Sequence, residues 1–246
     1  MVTSVAVVGA NGTMGRLFTR LIDEAAGFEV SARLGSSSSL SEMDGAEIVV
    51  DVTAPAVSPK VVSHALRSGA NVLVGTSGWS RDRIAALRTE LAETDNGVVI
   101  IPNFSLGSVL GTTLATIAGR FFDSIEIVEA HRAAKIDSPS GTAVRTAELI
   151  GEARVGLGPV EAPHTDQRAR GQQVSSIPIH SLRLTGVVAR QEVTFGGTGE
   201  TLSITHNTLD SSSYEQGILL ALEAARTATG LTVGLENLMN LGISRA

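Results

Sequence analysis

The sequence predicts an α/β fold in which a doubly wound parallel sheet is followed by a second, α+β domain with a mixed or antiparallel sheet. Three observations lead there. Short Val/Ile-rich runs alternate with helical stretches through the first hundred residues, the pattern of parallel strands buried on both faces. The first of these runs passes straight into a glycine turn and a helix. Beyond a Gly-, Pro-, Gln- and Ser-rich segment at 156–176, strands of alternating polarity follow one another closely, which sets them apart from the first sheet. With 246 residues, 43% of them hydrophobic, the chain can bury the cores that such a fold needs.

Val5-Ala6-Val7-Val8 is the first strand, and Gly9-Ala10-Asn11-Gly12-Thr13-Met14-Gly15 is the turn into a helix reaching about Ala26. The G-x-x-G-x-x-G spacing is a variant of the Rossmann-like dinucleotide fingerprint, whose glycines let backbone approach a pyrophosphate at a helix N-terminus. A tight turn without a ligand is the plain alternative. The next strand, Phe28 to Ala32, leads into Arg33-Leu34-Gly35-Ser36-Ser37-Ser38-Ser39, where an NAD-preferring site usually offers an acid to the ribose. Here the acid is missing. Arg33 beside hydroxyls such as Ser36 suits a 2′-phosphate, so NADP(H) is the expected cofactor, with NAD(H) possible. The alternative is a flexible polar loop with Arg33 in solvent.

Strand and helix continue to alternate. A strand over 47–53 ends at Thr53, a helix spans about 58–68, and a strand at Asn71 to Val74 meets Gly75-Thr76-Ser77-Gly78. Another helix over 81–93 leads to a fifth strand, Val98 to Ile101, which stops at Pro102-Asn103-Phe104. A helix from about Gly107 to Arg120 follows. Then Ile125-Glu126-Ile127-Val128-Glu129 alternates as a strand, and a helix starts near Ser140-Gly141-Thr142 and runs to Ala153. Residues 156–176 read as a long loop. Strands at 180–184, 190–195 and 201–205 come next, the last two joined by a glycine turn at 196–199, and a helix over about 213–227 ends the pattern.

A net charge of −6 argues against nucleic-acid binding, and an anionic ligand would need a local basic pocket. The absence of cysteine excludes disulfides and thiolate metal sites, and no metal is expected. The first strand lies too near the initiator Met for a leader, and no apolar run approaches the roughly 18 residues of a membrane span. A cytoplasmic protein is expected.

The chemistry concentrates in Glu129-Ala130-His131-Arg132-Ala133-Ala134-Lys135-Ile136-Asp137-Ser138-Pro139-Ser140-Gly141-Thr142-Ala143. One imidazole, two cations and a small-residue turn with free backbone N–H groups suit a carboxylate-bearing substrate that must gain a proton. His131 and Lys135 are the catalytic candidates. Arg132, Lys135, Ser140, Gly141 and Thr142 are the substrate-binding ones.

This run resembles the E-x-H-H-x-x-K-x-D-x-P-S-G-T-A signature of the 4-hydroxy-tetrahydrodipicolinate (dihydrodipicolinate) reductase family, with Arg132 at the second histidine. The resemblance implies NAD(P)H-dependent reduction of a small cyclic dicarboxylate to tetrahydrodipicolinate in lysine and diaminopimelate synthesis. It implies that His131 is the acid/base and that Lys135 stabilises charge or donates the proton. It further implies that Gly75, Thr76 and Ser77 lie against the nicotinamide ribose, and that Pro102, Asn103 and Phe104 close the nicotinamide pocket. Arg132 would pair with a substrate carboxylate. Phe104 has a core-packing alternative, and His64, His164, His180 and His206 read as structural or solvated. The last helix is implied to return to the first domain, giving a dinucleotide domain of 1–105 with 214–246 and a substrate domain of 106–213. A homotetramer built through the second sheet is implied too. The rival readings are a related imine or oxo-acid dehydrogenase, or a non-catalytic dinucleotide sensor.

Overall fold

The computed structural model describes residues 2–241, which divide by packing into two units, 2–106 with 214–241 and 107–213. The expected first domain also took in residue 1 and residues 242–246, which lie outside the described residues. The chain forms β1 (Thr3–Val8), α1 (Thr13–Glu24), β2 (Phe28–Leu34), β3 (Ile48–Asp51), α2 (Ser58–Arg67), β4 (Asn71–Val74), α3 (Arg81–Leu91) and β5 (Gly97–Ile100). It continues with α4 (Leu106–Ala118), β6 (Ser124–Arg132), α5 (Gly141–Ala153), β7 (Gln172–Val174), β8 (Ile177–Leu184), β9 (Ala189–Gly197) and β10 (Glu200–Thr208). Then α6 (Glu215–Arg226) and β11 (Gly230–Val233) return to the first unit.

The first sheet has the order β11-β5-β4-β3-β1-β2, and every neighbouring pair is parallel. Its central strands are continuous apolar runs because both faces are covered. Ala6, Val8, Val49, Val72 and Val74 pack on α2 and α3 through Val61, Val62, Leu66, Leu87 and Leu91. The alternate residues face the side of α1 and α6, which an Arg20–Glu215 ion pair of 2.5 Å joins. Strand order reverses at β1, so the crevice beyond the carboxyl ends of β1 and β3 is where ligands of open α/β sheets bind. The sequence reading found five strands, whereas the sheet has six. In β11 only four residues pair, beside β5, and so short a segment carries no readable period.

In the second unit β6 lies at the centre of a mixed sheet, β10-β9-β6-β8-β7, parallel to β8 and antiparallel to β9. One face is covered: Ile125, Ile127, Ile179, Val193 and Phe195 pack on Ala115 of α4 and on Ala147 and Ile150 of α5. On the other face Val128, Leu182 and Leu184 are 36%, 45% and 47% exposed. The segment expected as one loop is more ordered than that reading. It contains a short 3-10 turn, Arg168–Arg170, followed by β7 on the edge of β8. Arg170 donates to Glu126 on β6 at 2.5 Å. Partners distant in sequence, not a period of its own, give this segment its structure.

α6 begins at Glu215, two residues later than expected, because a 3-10 turn at Ser211–Tyr214 comes first. Asp210 accepts from the Ser212 N–H at 2.7 Å and its hydroxyl at 2.5 Å, which tightens that turn.

Candidate active site

The glycine turn after β1 assigns each of its glycines a different job. Gly9 has φ +92, and a Cβ there would lie 2.4 Å from the Val52 carbonyl oxygen, so β1 and the segment after β3 can meet only over a glycine. At Gly15 a Cβ would lie 2.1 Å from the Gly9 oxygen, so glycine lets α1 begin tight against the turn. Gly12 is different. Its φ is −74, an added Cβ would meet nothing closer than 3.4 Å, and no side chain caps α1 there. Nothing among the described residues requires glycine at 12. An exposed, uncapped helix start flanked by Asn11, Thr13 and Met14 fits a dinucleotide pyrophosphate, held by the backbone N–H groups that α1 cannot satisfy internally.

The other cofactor candidates fall at the same sheet end. Thr53 and Gly75 follow β3 and β4, and both are tied to Asp51, a fully buried carboxylate that the sequence reading passed over. Asp51 accepts from the Thr53 N–H at 3.1 Å and the Thr53 hydroxyl at 2.6 Å, and from the Ser58 hydroxyl. The Ser58 oxygen in turn accepts from the Trp79 indole at 3.0 Å. Thr76 is buried, and its hydroxyl accepts from the Thr53 N–H at 2.8 Å and donates to the Asp51 carbonyl at 3.2 Å. Any ligand contact of Thr76 is therefore left to its backbone, while Ser77 is exposed.

Phe104 takes the packing role. It is 4% exposed and edge-on to Phe18 with ring centroids 5.3 Å apart, and its ring also lies against Gly75, whereas Pro102 is exposed. Asn103 accepts from the Ser105 N–H at 2.9 Å, just ahead of α4.

Ser36 is exposed, and Arg33 lines a groove of about 520 Å³ beside Asn11, Arg16 and Asp23. Arg33 Nη2 donates to Asp23 Oδ2 at 2.9 Å, an exposed pair that a stronger anion can displace. A side chain at Gly35, where the missing acid would stand, would start 2.7 Å from the Asn11 amide.

In the second unit, period-two alternation along β6 sends Ile125, Ile127, Glu129 and His131 to the covered face. Glu129 is fully buried and His131 half-buried. His131 Nδ1 donates to Glu129 Oε2 at 2.6 Å, which leaves Nε2 as the other proton-bearing atom. Burial pushes the Glu129 carboxyl up, but hydrogen bonds from Arg183, Ser181 and His131 outweigh it and hold the group below the usual carboxylate range. Lys135 lies on the connection after β6, its ammonium 2.8 Å from Asp137 Oδ1.

Ser140 caps α5: its hydroxyl accepts from the Ala143 N–H at 3.2 Å, and its own N–H donates to Glu129 Oε1 at 3.2 Å. Gly141 is exposed with nothing within 4 Å of an added Cβ, and Thr142 beside it is half-buried, so the first free N–H groups of α5 stand open to an anion. Arg132 does not join them. It is the next residue on the strand, it is exposed, and alternation turns it to the face of Val128 and opposite Leu184, so the geometry does not support its expected carboxylate contact.

Two family models, for the N-terminal and C-terminal parts of dihydrodipicolinate reductase, match residues 3–104 and 107–239. The chain belongs to the dihydrodipicolinate reductase family. It is 62% identical to the 4-hydroxy-tetrahydrodipicolinate reductase of Clavibacter michiganensis subsp. michiganensis, over all of this chain and 89% of that protein. To the reductase of Mycobacterium marinum it is 43% identical, over 96% of this chain and 99% of the relative. A dipicolinate-bound dihydrodipicolinate reductase from Paenisporosarcina sp. TG-14 superposes with a TM-score of 0.85 at 25% identity, covering 97% of this chain and 100% of that one. An amine dehydrogenase from Mycobacterium smegmatis shares the fold alone, with a TM-score of 0.64 and 10% identity.

The reductase site also contains residues that the motif reading left without a role. Arg183 of β8 sits opposite His131 in register and forms a two-pronged ion pair with Glu129, both contacts 2.9 Å. The sequence signal for it was the alternation of Ser181 and Arg183 along β8, two residues that share a face, but which face only the pairing with β6 decides.

The remaining histidines hold structure. His64 bonds Asp44 at 2.8 Å and His180 bonds Glu126 at 2.7 Å. His206 packs beneath the first turn of α4 at Gly107, and burial lowers its pKa. His164 stands at a left-handed bend, φ 60.

Proposed function

We propose that this oxidoreductase carries out the reduction for which its family is named, with NADPH preferred, His131 as proton donor and Lys135 as the charge-stabilising cation. When bound, the nicotinamide dinucleotide supplies hydride to the ring of the cyclic dicarboxylate. The chain's own residues do the rest. Gly12, Thr13, Met14 and Gly15 hold the pyrophosphate; Asn11, Thr53, Gly75, Ser77, Pro102 and Asn103 border the dinucleotide, Thr76 and Phe104 through backbone. Gly141 and Thr142 offer backbone N–H donors, and Ser140 its hydroxyl O–H, to one substrate carboxylate.

Hydride addition to a conjugated imine leaves an electron-rich nitrogen system that must be protonated, and an imidazole held by a buried carboxylate is suited to give that proton near neutral pH. The observation that carries this reading is that one carboxylate, Glu129, touches both the His131 ring and the capped start of α5. The proton donor and the anion cradle thus share a single mounting. NADPH oxidation with freshly generated dihydrodipicolinate tests the reading; turnover of a different imine alone would favour the dehydrogenase rival, and cofactor binding without turnover the sensor.

NADPH should show a kcat/KM at least about tenfold above that of NADH, since a guanidinium–phosphate contact is a charge-assisted bond of roughly 1.5–3 kcal/mol. Arg33→Ala should shrink that ratio. An advantage for NADH in the unaltered enzyme would reject the preference.

The exposed aliphatic side chains of Val128, Leu182 and Leu184 on the open sheet face support burial against other copies, and we infer a cytoplasmic homotetramer. Light scattering should return four times the chain mass, and Leu182→Lys should lower it. A mass of one chain for the unaltered protein would end the inference.

A further inference from the structure

The geometry points to Glu129 and Arg183 as a positioning pair that fixes His131 in a single tautomer and, through the same ion pair, ties down the connection bearing Lys135 and Ser140. The inference rests on His131 being the proton donor. Its basis is that both partners are saturated. Glu129 is 0% exposed, and its two oxygens accept four hydrogen bonds. Oε1 takes Arg183 Nη2 at 2.9 Å and the Ser140 N–H at 3.2 Å. Oε2 takes Arg183 Nη1 at 2.9 Å and His131 Nδ1 at 2.6 Å. The Ser181 side chain adds a further hydrogen bond to these, so none of the roughly four lone-pair sites of a carboxylate is left over.

Arg183 is equally committed. Besides its two bonds to Glu129, Nη1 donates to the Leu182 carbonyl at 2.7 Å, Nη2 to the Asp137 carbonyl at 2.6 Å and Nε to the Lys135 carbonyl at 3.3 Å. A guanidinium has five N–H donors, and all five are used. Two of them hold carbonyls of the connection, on either side of Ile136, whose side chain is 97% exposed and cannot anchor it. The turn that presents the Lys135 ammonium is therefore fixed from below by Arg183, and the start of α5 by Glu129.

This arrangement dictates the chemistry of the imidazole. A carboxylate accepting at Nδ1 requires the proton there in the neutral ring, so the proton that comes and goes is the one on Nε2. Across the sheet the register partners of His131 are Arg183 on β8 and Ala189 on β9, and Lys135 and Asp137, paired with each other, follow on the connection. Glu129 is the group in contact with the ring. Replacing that acceptor by an amide, which can turn an N–H toward Nδ1, should favour the Nε2–H tautomer of the neutral ring and misplace the exchangeable proton.

Three variants and one spectrum test the pair. In the unaltered protein, ¹⁵N NMR of the neutral His131 ring should show the Nδ1–H tautomer. Glu129→Gln should lower kcat by about 10²-fold and move the neutral His131 ring toward the Nε2–H tautomer. Arg183→Lys, with three donors in place of a five-donor fork, should lower kcat and raise the KM for substrate while leaving the KM for NADPH unchanged. His131→Gln runs alongside. If His131→Gln is impaired but Glu129→Gln keeps the normal rate and the Nδ1–H tautomer, the positioning role is refuted. If His131→Gln turns over normally, the donor assignment fails instead. An Nε2–H tautomer in the unaltered protein refutes the pair whether or not the variants fold.

Discussion

Lys135→Ala is expected to lower kcat by at least about 10²-fold while leaving thermal stability nearly unchanged. The separation of the two effects follows from where Lys135 sits. Its ammonium pairs with Asp137, whose side chain is 59% exposed, and such a surface pair is worth roughly 0–1 kcal/mol. Backbone bonds hold the connection in place: the Lys135 N–H donates to the Arg132 carbonyl at 3.0 Å, and Arg183 holds the Lys135 carbonyl, so the turn survives loss of the side chain. What disappears is the ammonium four residues on from the proposed proton donor, the group assigned to the charge that develops as hydride arrives. Steady-state kinetics at saturating substrate and NADPH check this, and near-normal turnover would remove Lys135 from the mechanism.

The second large effect separates two glycines three residues apart. Gly9→Ala should destabilise the first unit by about 2–5 kcal/mol, since it adds strain at φ +92 to a Cβ overlapping the Val52 oxygen at 2.4 Å. Gly12→Ala should cost less, about 0.5–1 kcal/mol, because the fold has room for the methyl and what is lost is the preference of a helix N-cap for glycine over alanine. It should nevertheless raise the KM for the dinucleotide at least about tenfold by standing where a phosphate oxygen belongs. Thermal melting and cofactor titration of the two variants give opposite patterns if this is right. A Gly12 variant that binds the dinucleotide normally would show that the turn is only a turn.

Much of this was legible in the residues themselves. Continuous Val/Ile runs between helices gave a parallel sheet because strands covered on both faces have no polar side to display, and the turn after Val8 stood out because its glycines fall between the first strand and a helix. The signature from Glu129 to Ala143 was readable for a similar local reason: a strand end, a cation and a helix start lie within 15 consecutive positions. Other features had no local signal. β11 is four residues that become a strand only beside β5. Arg170 orders a segment with no period by reaching Glu126, 44 positions away. Phe104 reads equally well as a pocket wall or a core ring until Phe18 is placed against it.

The sequence by itself determined the fold class, the position of the glycine turn between β1 and α1 and the identity of the short stretch bearing His131 and Lys135, since each depends on residues within a few positions of one another. Only the tertiary structure decided that Arg132 leaves by the opposite face, that Asp51 ties the segments after β3 and β4, and that Glu129 and Arg183 hold the imidazole. Those outcomes depend on which strand lies beside which and in what register. Hydrogen bonds between residues 54 positions apart are set by pairing across a sheet, and no spacing along the chain encodes them.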